Sequence, residues 1–148
     1  MHRGYFINFY IYITIITGIT LIHIISLPMQ QLQDTIKKAY KAFNERNIEN
    51  ALSTMQPDVQ WSKAWEGGYI IGHEEVKNYW TRQWAEINPT VIPTSFFERE
   101  NGILEVSVHQ NVKDLKGNLI FDGTVLHIYN FLDGLIEKMD IELIENHQ

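Results

Sequence analysis

"LIFDGTVLHIYNFLDGLIEKMDIELI", residues 119–144, decides the fold. Apolar residues recur at alternate positions on both sides of Leu132-Asp133-Gly134, so the stretch reads as two strands joined by a hairpin turn. The same alternation appears upstream in "VIPTSFFE" (91–98) and "ILEVSVHQNV" (103–112). The breaks "ENG" (100–102) and "DLKGN" (114–118) separate these segments, and each is a turn signal. Strands joined in this way form an antiparallel meander.

Further upstream the period changes. Leu32, Ile36, Ala39, Tyr40 and Phe43 recur at steps of three and four, which marks one face of a helix over 30–46. Asn47 caps a second, shorter helix with Ile48, Ala51, Leu52 and Met55 inward, and Pro57 ends it. "DVQW" (58–61) is a short strand. Gly72 leads into a third helix over 73–87, whose apolar stripe is Val76, Tyr79, Trp80, Gln83 or Trp84, and Ile87. Asn88-Pro89 closes that helix. The expectation is an α+β domain: three N-terminal helices packed on one face of a curved antiparallel sheet.

The chain has 148 residues, 45% of them hydrophobic and 12% aromatic, enough for one domain with a real core. A net charge of −6 with acids and bases interspersed gives no phosphate-binding footprint, so nucleic acid is excluded as a partner. The absence of cysteine excludes thiol catalysis, disulfides and Cys-based zinc sites. No His-x-x-x-His or acid–His cluster has metal-ligand spacing, so neither a metal nor a cofactor is expected.

Residues 1–28 are a separate apolar segment ahead of a domain at 29–148. Tyr5 to Leu27 contains no Asp, Glu, Lys or Arg and is long enough to span a bilayer as a transmembrane helix. Arg3 on one side and Lys37, Lys38 and Lys41 on the other then place the domain in the cytoplasm. Two alternatives stand beside this membrane anchor. The natural chain starts at Met29 and is soluble and cytoplasmic, or the segment is a cleaved export signal.

"AYKAFNERNIENALSTMQPDVQW" (39–61), "VKNYWTRQW" (76–84) and "FDGTVLHIYNFLDGLIEKMDIE" (121–142) together resemble the nuclear transport factor 2-like superfamily, with its ketosteroid isomerases and SnoaL-like polyketide cyclases. The resemblance covers about 29–145. It implies a cone with a pocket between the concave sheet face and the helices, and a homodimer through the outer sheet face. It is specific for fold and not for activity, because the fold hosts isomerases, cyclases, dehydratases and non-catalytic modules.

A ketosteroid isomerase uses an Asp base, with a Tyr and a protonated Asp donating to the oxyanion. The resemblance places Tyr40 at the tyrosine position, Lys63 at the base position and His127 at the second acid position. A lysine does not replace a carboxylate base unless burial depresses its pKa. Ketosteroid isomerisation itself is therefore not expected.

His127 is the leading candidate for chemistry, since imidazole serves as acid, base or donor near neutral pH. The competing reading is a buried histidine bonded to one neighbour. Its surroundings depend on the turn. A two-residue Asp133-Gly134 turn puts Asp140 opposite His127 as a His–Asp dyad. A three-residue loop puts Met139 opposite His127 and turns Asp140 to the other face. The isomerase-like match favours the second. Tyr40, on the inner face of the first helix, is either a hydroxyl donor into the pocket or a core tyrosine with its OH at the rim.

The expected pocket lining is Trp61, Lys63, Trp65 and Trp84 around the mouth, Val106, Val108 and Gln110 on one strand, Val125 and Tyr129 beside His127, and Met139. Four tryptophans are also what a plain core contains. His109 lies on the polar face of its strand, toward solvent or a dimer contact. The functional expectation is a pocket for a small, largely apolar molecule, worked by acid–base chemistry of isomerase, cyclase or dehydratase type. The alternative is a non-catalytic ligand-binding or dimerising module.

Overall fold

The computed structural model describes residues 10–16, 19–25 and 29–144. Strands β1 (Tyr10–Ile16) and β2 (Ile19–Ile25) pair antiparallel as a ribbon of their own. The stretch expected as a spanning helix is thus extended where it is described, in keeping with its β-branched Ile and Thr content. Among the described residues no helix is long and apolar enough to cross a membrane. Residues 1–9, 17–18 and 26–28 of that segment lie outside those described.

The domain opens with α1 (Met29–Asn44) and α2 (Ile48–Leu52). Asn47 caps α2 as expected, its side chain accepting from the Asn50 amide at 3.1 Å. The chain turns extended sooner than Pro57 suggested, forming β3 (Met55–Ser62), and then the three-residue β4 (Tyr69–Ile71), which was not foreseen. Helix α3 (His73–Trp84) stops short of the expected 87. Ile87, Asn88 and Pro89 instead begin β5 (Ile87–Glu98), followed by β6 (Leu104–Asp114), β7 (Leu119–Leu132) and β8 (Leu135–Leu143).

The six strands run in the order β4-β3-β8-β7-β6-β5. The meander is antiparallel, but β3 lies parallel to β8, so the sheet is mixed rather than wholly antiparallel. The reason is topological. The entire α3-to-β7 excursion lies between β3 and β8, long enough to return the chain in the same direction.

Edge strand β5 accounts for its own prolines. Pro89 and Pro93 cannot donate to a ladder, and only an edge tolerates them. Between them, the Asn44 amide donates to Val91 O at 2.7 Å and accepts from Val91 N at 3.0 Å. Arg46 donates to Pro89 O at 2.8 Å. The end of α1 thereby satisfies an edge that would otherwise be open to pairing.

The core lies between the concave sheet face and the helices. Ile36, Ala39 and Tyr40 of α1 and Val76, Tyr79 and Trp80 of α3 meet Val106 and Val108 of β6, Tyr129 of β7 and Met139 of β8.

Candidate functional site

The turn that controls the site has two residues, Asp133 and Gly134, both left-handed at φ 50° and 78°. It pairs Leu132 with Leu135. A bulge then intervenes: Phe131 pairs with Ile136 but Asn130 with Lys138, leaving Glu137 as the extra residue on β8. Beyond it His127 faces Ile141, Tyr129 faces Met139, and Asp140 faces Ile128. Neither expected partner, Asp140 or Met139, stands opposite His127. Asp140 points to the outer face, where it accepts from Tyr69 and pairs with Lys138 at 3.1 Å. The His–Asp dyad is therefore not formed.

The inner partners of His127 are tyrosines. Its Nδ1 lies 2.9 Å from the Tyr40 hydroxyl and 3.5 Å from that of Tyr129. Tyr129 donates to the Tyr40 oxygen at 2.8 Å. The α1 periodicity puts Tyr40 inward, and the two-residue period of β7 puts His127 and Tyr129 on the same face. All three are buried, with His127 7% exposed. Burial lowers the His127 pKa to about 4, so the ring is neutral at pH 7. Burial raises Tyr40 well above its ordinary value, with Tyr129 adding to the effect. Burial also raises Tyr129, against a smaller opposing effect of its bond to Tyr40.

One proton order puts every hydroxyl hydrogen in a bond: Tyr129 gives its hydrogen to Tyr40, Tyr40 gives its own to Nδ1, and the neutral imidazole carries its proton on Nε2. Nε2 has no partner among the described residues, yet it is not sealed in. The fully buried side-chain polar atom left without a partner is Trp84 Nε1. The free imidazole N–H thus faces the pocket.

That pocket has a cavity volume of about 60 Å³. Tyr40, His127, Tyr129 and Met139 line it, with Trp61 and Gln110 among the other expected residues. Among the described residues no Asp, Glu, Lys or Arg lines it.

The remaining expected residues lie elsewhere. Val106, Val108 and Val125 are packed in the core beneath the pocket. Lys63 extends toward Glu66, at 3.9 Å, and is not in the lining. Trp65 is 56% exposed and packs edge-on against Phe121, outside the lining. Trp84 packs against Phe43 and Trp80 behind the wall, with the Arg46 guanidinium 4.8 Å from its ring centre. His109 is on the outer face, 2.6 Å from Asp122.

Tyr79, Trp80, Phe43 and Gln83 line the pocket although they were not singled out for it. Tyr79, Trp80 and Gln83 belong to the α3 stripe and Phe43 to the α1 stripe, and the same periodicity serves both core and wall. Among the described residues no group of three or more His, Asp or Glu is arranged to hold a metal ion.

No protein-family model and no curated protein matches the sequence. Solved structures do. A nuclear transport factor 2-like protein of unknown function from Burkholderia pseudomallei is 21% identical, covering 77% of this chain and 91% of its own, with a TM-score of 0.68. TerC, co-crystallised with polyporic acid, is 25% identical over 77% of this chain and 92% of its own, with a TM-score of 0.68. A Mycobacterium tuberculosis protein in complex with estradiol-17β-hemisuccinate is 17% identical over 78% of this chain and 95% of its own, with a TM-score of 0.67.

Proposed function

From the nuclear transport factor 2-like fold of this chain as premise, we propose that it binds a small, uncharged, largely apolar molecule bearing a hydrogen-bond acceptor. The observation that carries this is the buried His127 ring, bonded at Nδ1 to Tyr40 in a pocket with no charged residue among the described lining, where the proton order above presents an N–H. A buried donor with no internal partner recovers its hydrogen bond from a ligand oxygen. An anion entering the same space loses its hydration and meets no cation. Polyporic acid with TerC and estradiol-17β-hemisuccinate with the Mycobacterium tuberculosis protein support a small-molecule ligand.

Calorimetric titration at pH 7 tests it with 4-hydroxybiphenyl and biphenyl-4-carboxylate. The neutral phenol is expected to bind at least tenfold more tightly, and His127→Phe to lose that preference. Equal affinity for the two compounds contradicts the reading.

Acid–base catalysis of isomerase, cyclase or dehydratase type is a second reading, favoured by the three-group proton chain. Its test is deuterium exchange at the methyl group of 4-acetylbiphenyl in D₂O. Exchange above the buffer rate that His127→Ala abolishes supports catalysis, and exchange at the buffer rate leaves binding alone.

The outer sheet face, where Ile92 and Phe97 are 50% and 64% exposed, is proposed to pair two copies of the chain. Sedimentation is expected to show a dimer that Phe97→Lys converts to monomer. A monomeric wild type contradicts this.

A further inference from the structure

The polar groups of the pocket are not gathered at one point. Val106 of β6 stands opposite His127, and Gln110, four residues further along β6, stands opposite Gly123. Four residues of strand span about 13 Å. Both His127 and Gln110 line the same cavity, and the inward β6 residue between their two levels is the apolar Val108.

The Gln110 amide has no hydrogen-bond partner among the described residues, and it is not sealed from open space. A Cβ on Gly123 would lie 3.1 Å from the Phe121 ring, so the glycine opposite Gln110 lets that ring fold back beside the strand. A core-facing strand position otherwise given to Val106, Val108 and Val112 here carries an amide with nothing to bind.

Resting on the reading of the pocket as a site for an uncharged ligand, we infer that the pocket measures length: it takes a rod-like molecule with a polar group at each end, one bonded by His127 and the other by Gln110. Strand levels about 13 Å apart call for a rod whose two polar ends lie on the order of 10 Å apart. Gln110 is then the residue that sets specificity, because an amide both donates and accepts and serves a terminal hydroxyl or a carbonyl alike. A ligand with one polar end leaves that amide unpaired behind an apolar wall and forgoes its contribution.

The test compares 4-hydroxybiphenyl with 4,4′-dihydroxybiphenyl by calorimetry on the wild-type chain, Gln110→Met and Gln110→Asn. In the wild type the second hydroxyl is expected to tighten binding about tenfold. Gln110→Met should erase that gain. Gln110→Asn, which keeps the amide but withdraws it by one methylene, should lose most of the gain. The same gain in Gln110→Met as in the wild type, or none in the wild type, overturns the length-measuring role while the pocket reading stands. Failure of both biphenyls to bind the wild type overturns the pocket reading, and this inference with it.

Discussion

The Tyr40 hydroxyl lies 2.9 Å from Nδ1 of His127, joining the first helix to the seventh strand inside the core. Tyr40 is also the acceptor for Tyr129. One phenol therefore connects two groups that burial would otherwise penalise, and it sets which imidazole nitrogen carries the proton.

Tyr40→Phe removes the central member of this chain. It leaves Tyr129 without an acceptor at 2.8 Å and Nδ1 with the longer 3.5 Å approach of Tyr129. A loss of about 1–3 kcal/mol is expected from urea unfolding, as for a buried polar group deprived of its partner. Tyr129→Phe should cost less, because Tyr40 keeps its bond to His127. The reverse order would contradict the proposed direction of the chain.

The pH dependence has a definite sign. His127 titrates at about 4 in the folded chain, below its ordinary 6.5. The unfolded chain therefore binds the proton more readily. The stability tied to the neutral ring is fully present above pH 6.5 and is lost as pH falls toward 4, by an amount on the order of 3 kcal/mol. Unfolding free energies measured from pH 7.5 to 4 should fall over that window, and His127→Gln should flatten the fall. An unchanged slope in the variant would assign the acid sensitivity to other groups.

Asn44→Ala takes both hydrogen bonds from Val91 on edge strand β5. The expected cost is about 1–2 kcal/mol. Hydrogen exchange should speed up at the Val91 amide in particular, while amides in the central pairing of β6 with β7 stay protected. Unchanged exchange at Val91 would show that the clamp is dispensable.

Lys63, expected at a base position from the resemblance to ketosteroid isomerases, extends its amine toward Glu66. Lys63→Met is expected to leave the affinity for 4-hydroxybiphenyl within twofold. A tenfold change would bring Lys63 into the pocket.

The element pattern was legible because it rests on periodicity. The α1 stripe through Tyr40 and the alternation through His127 and Tyr129 both survive in the structure. What the pattern could not supply was register and reach. The Asp133-Gly134 turn is readable from its residues. The bulge at Glu137, which moves Ile141 opposite His127, is marked only by a step of three from Ile136 to Met139, where the alternation otherwise steps by two. Lys63 and Trp65 sit in a loop, where neither period constrains direction. Tyr129 was read as lining. Its part as the donor to Tyr40 depends on a contact between residues 89 positions apart. The parallel pairing of β3 with β8 was hidden for the same reason, since nothing local announces it.

The most direct measurement is the long-range proton–nitrogen NMR spectrum of the His127 ring at pH 7, recorded free and with saturating 4-hydroxybiphenyl. A neutral ring is predicted, with Nδ1 unprotonated and accepting from Tyr40 and with the proton on Nε2, whose resonance moves when the phenol binds. An imidazolium, a proton on Nδ1, or an Nε2 signal unmoved at saturation would contradict the account.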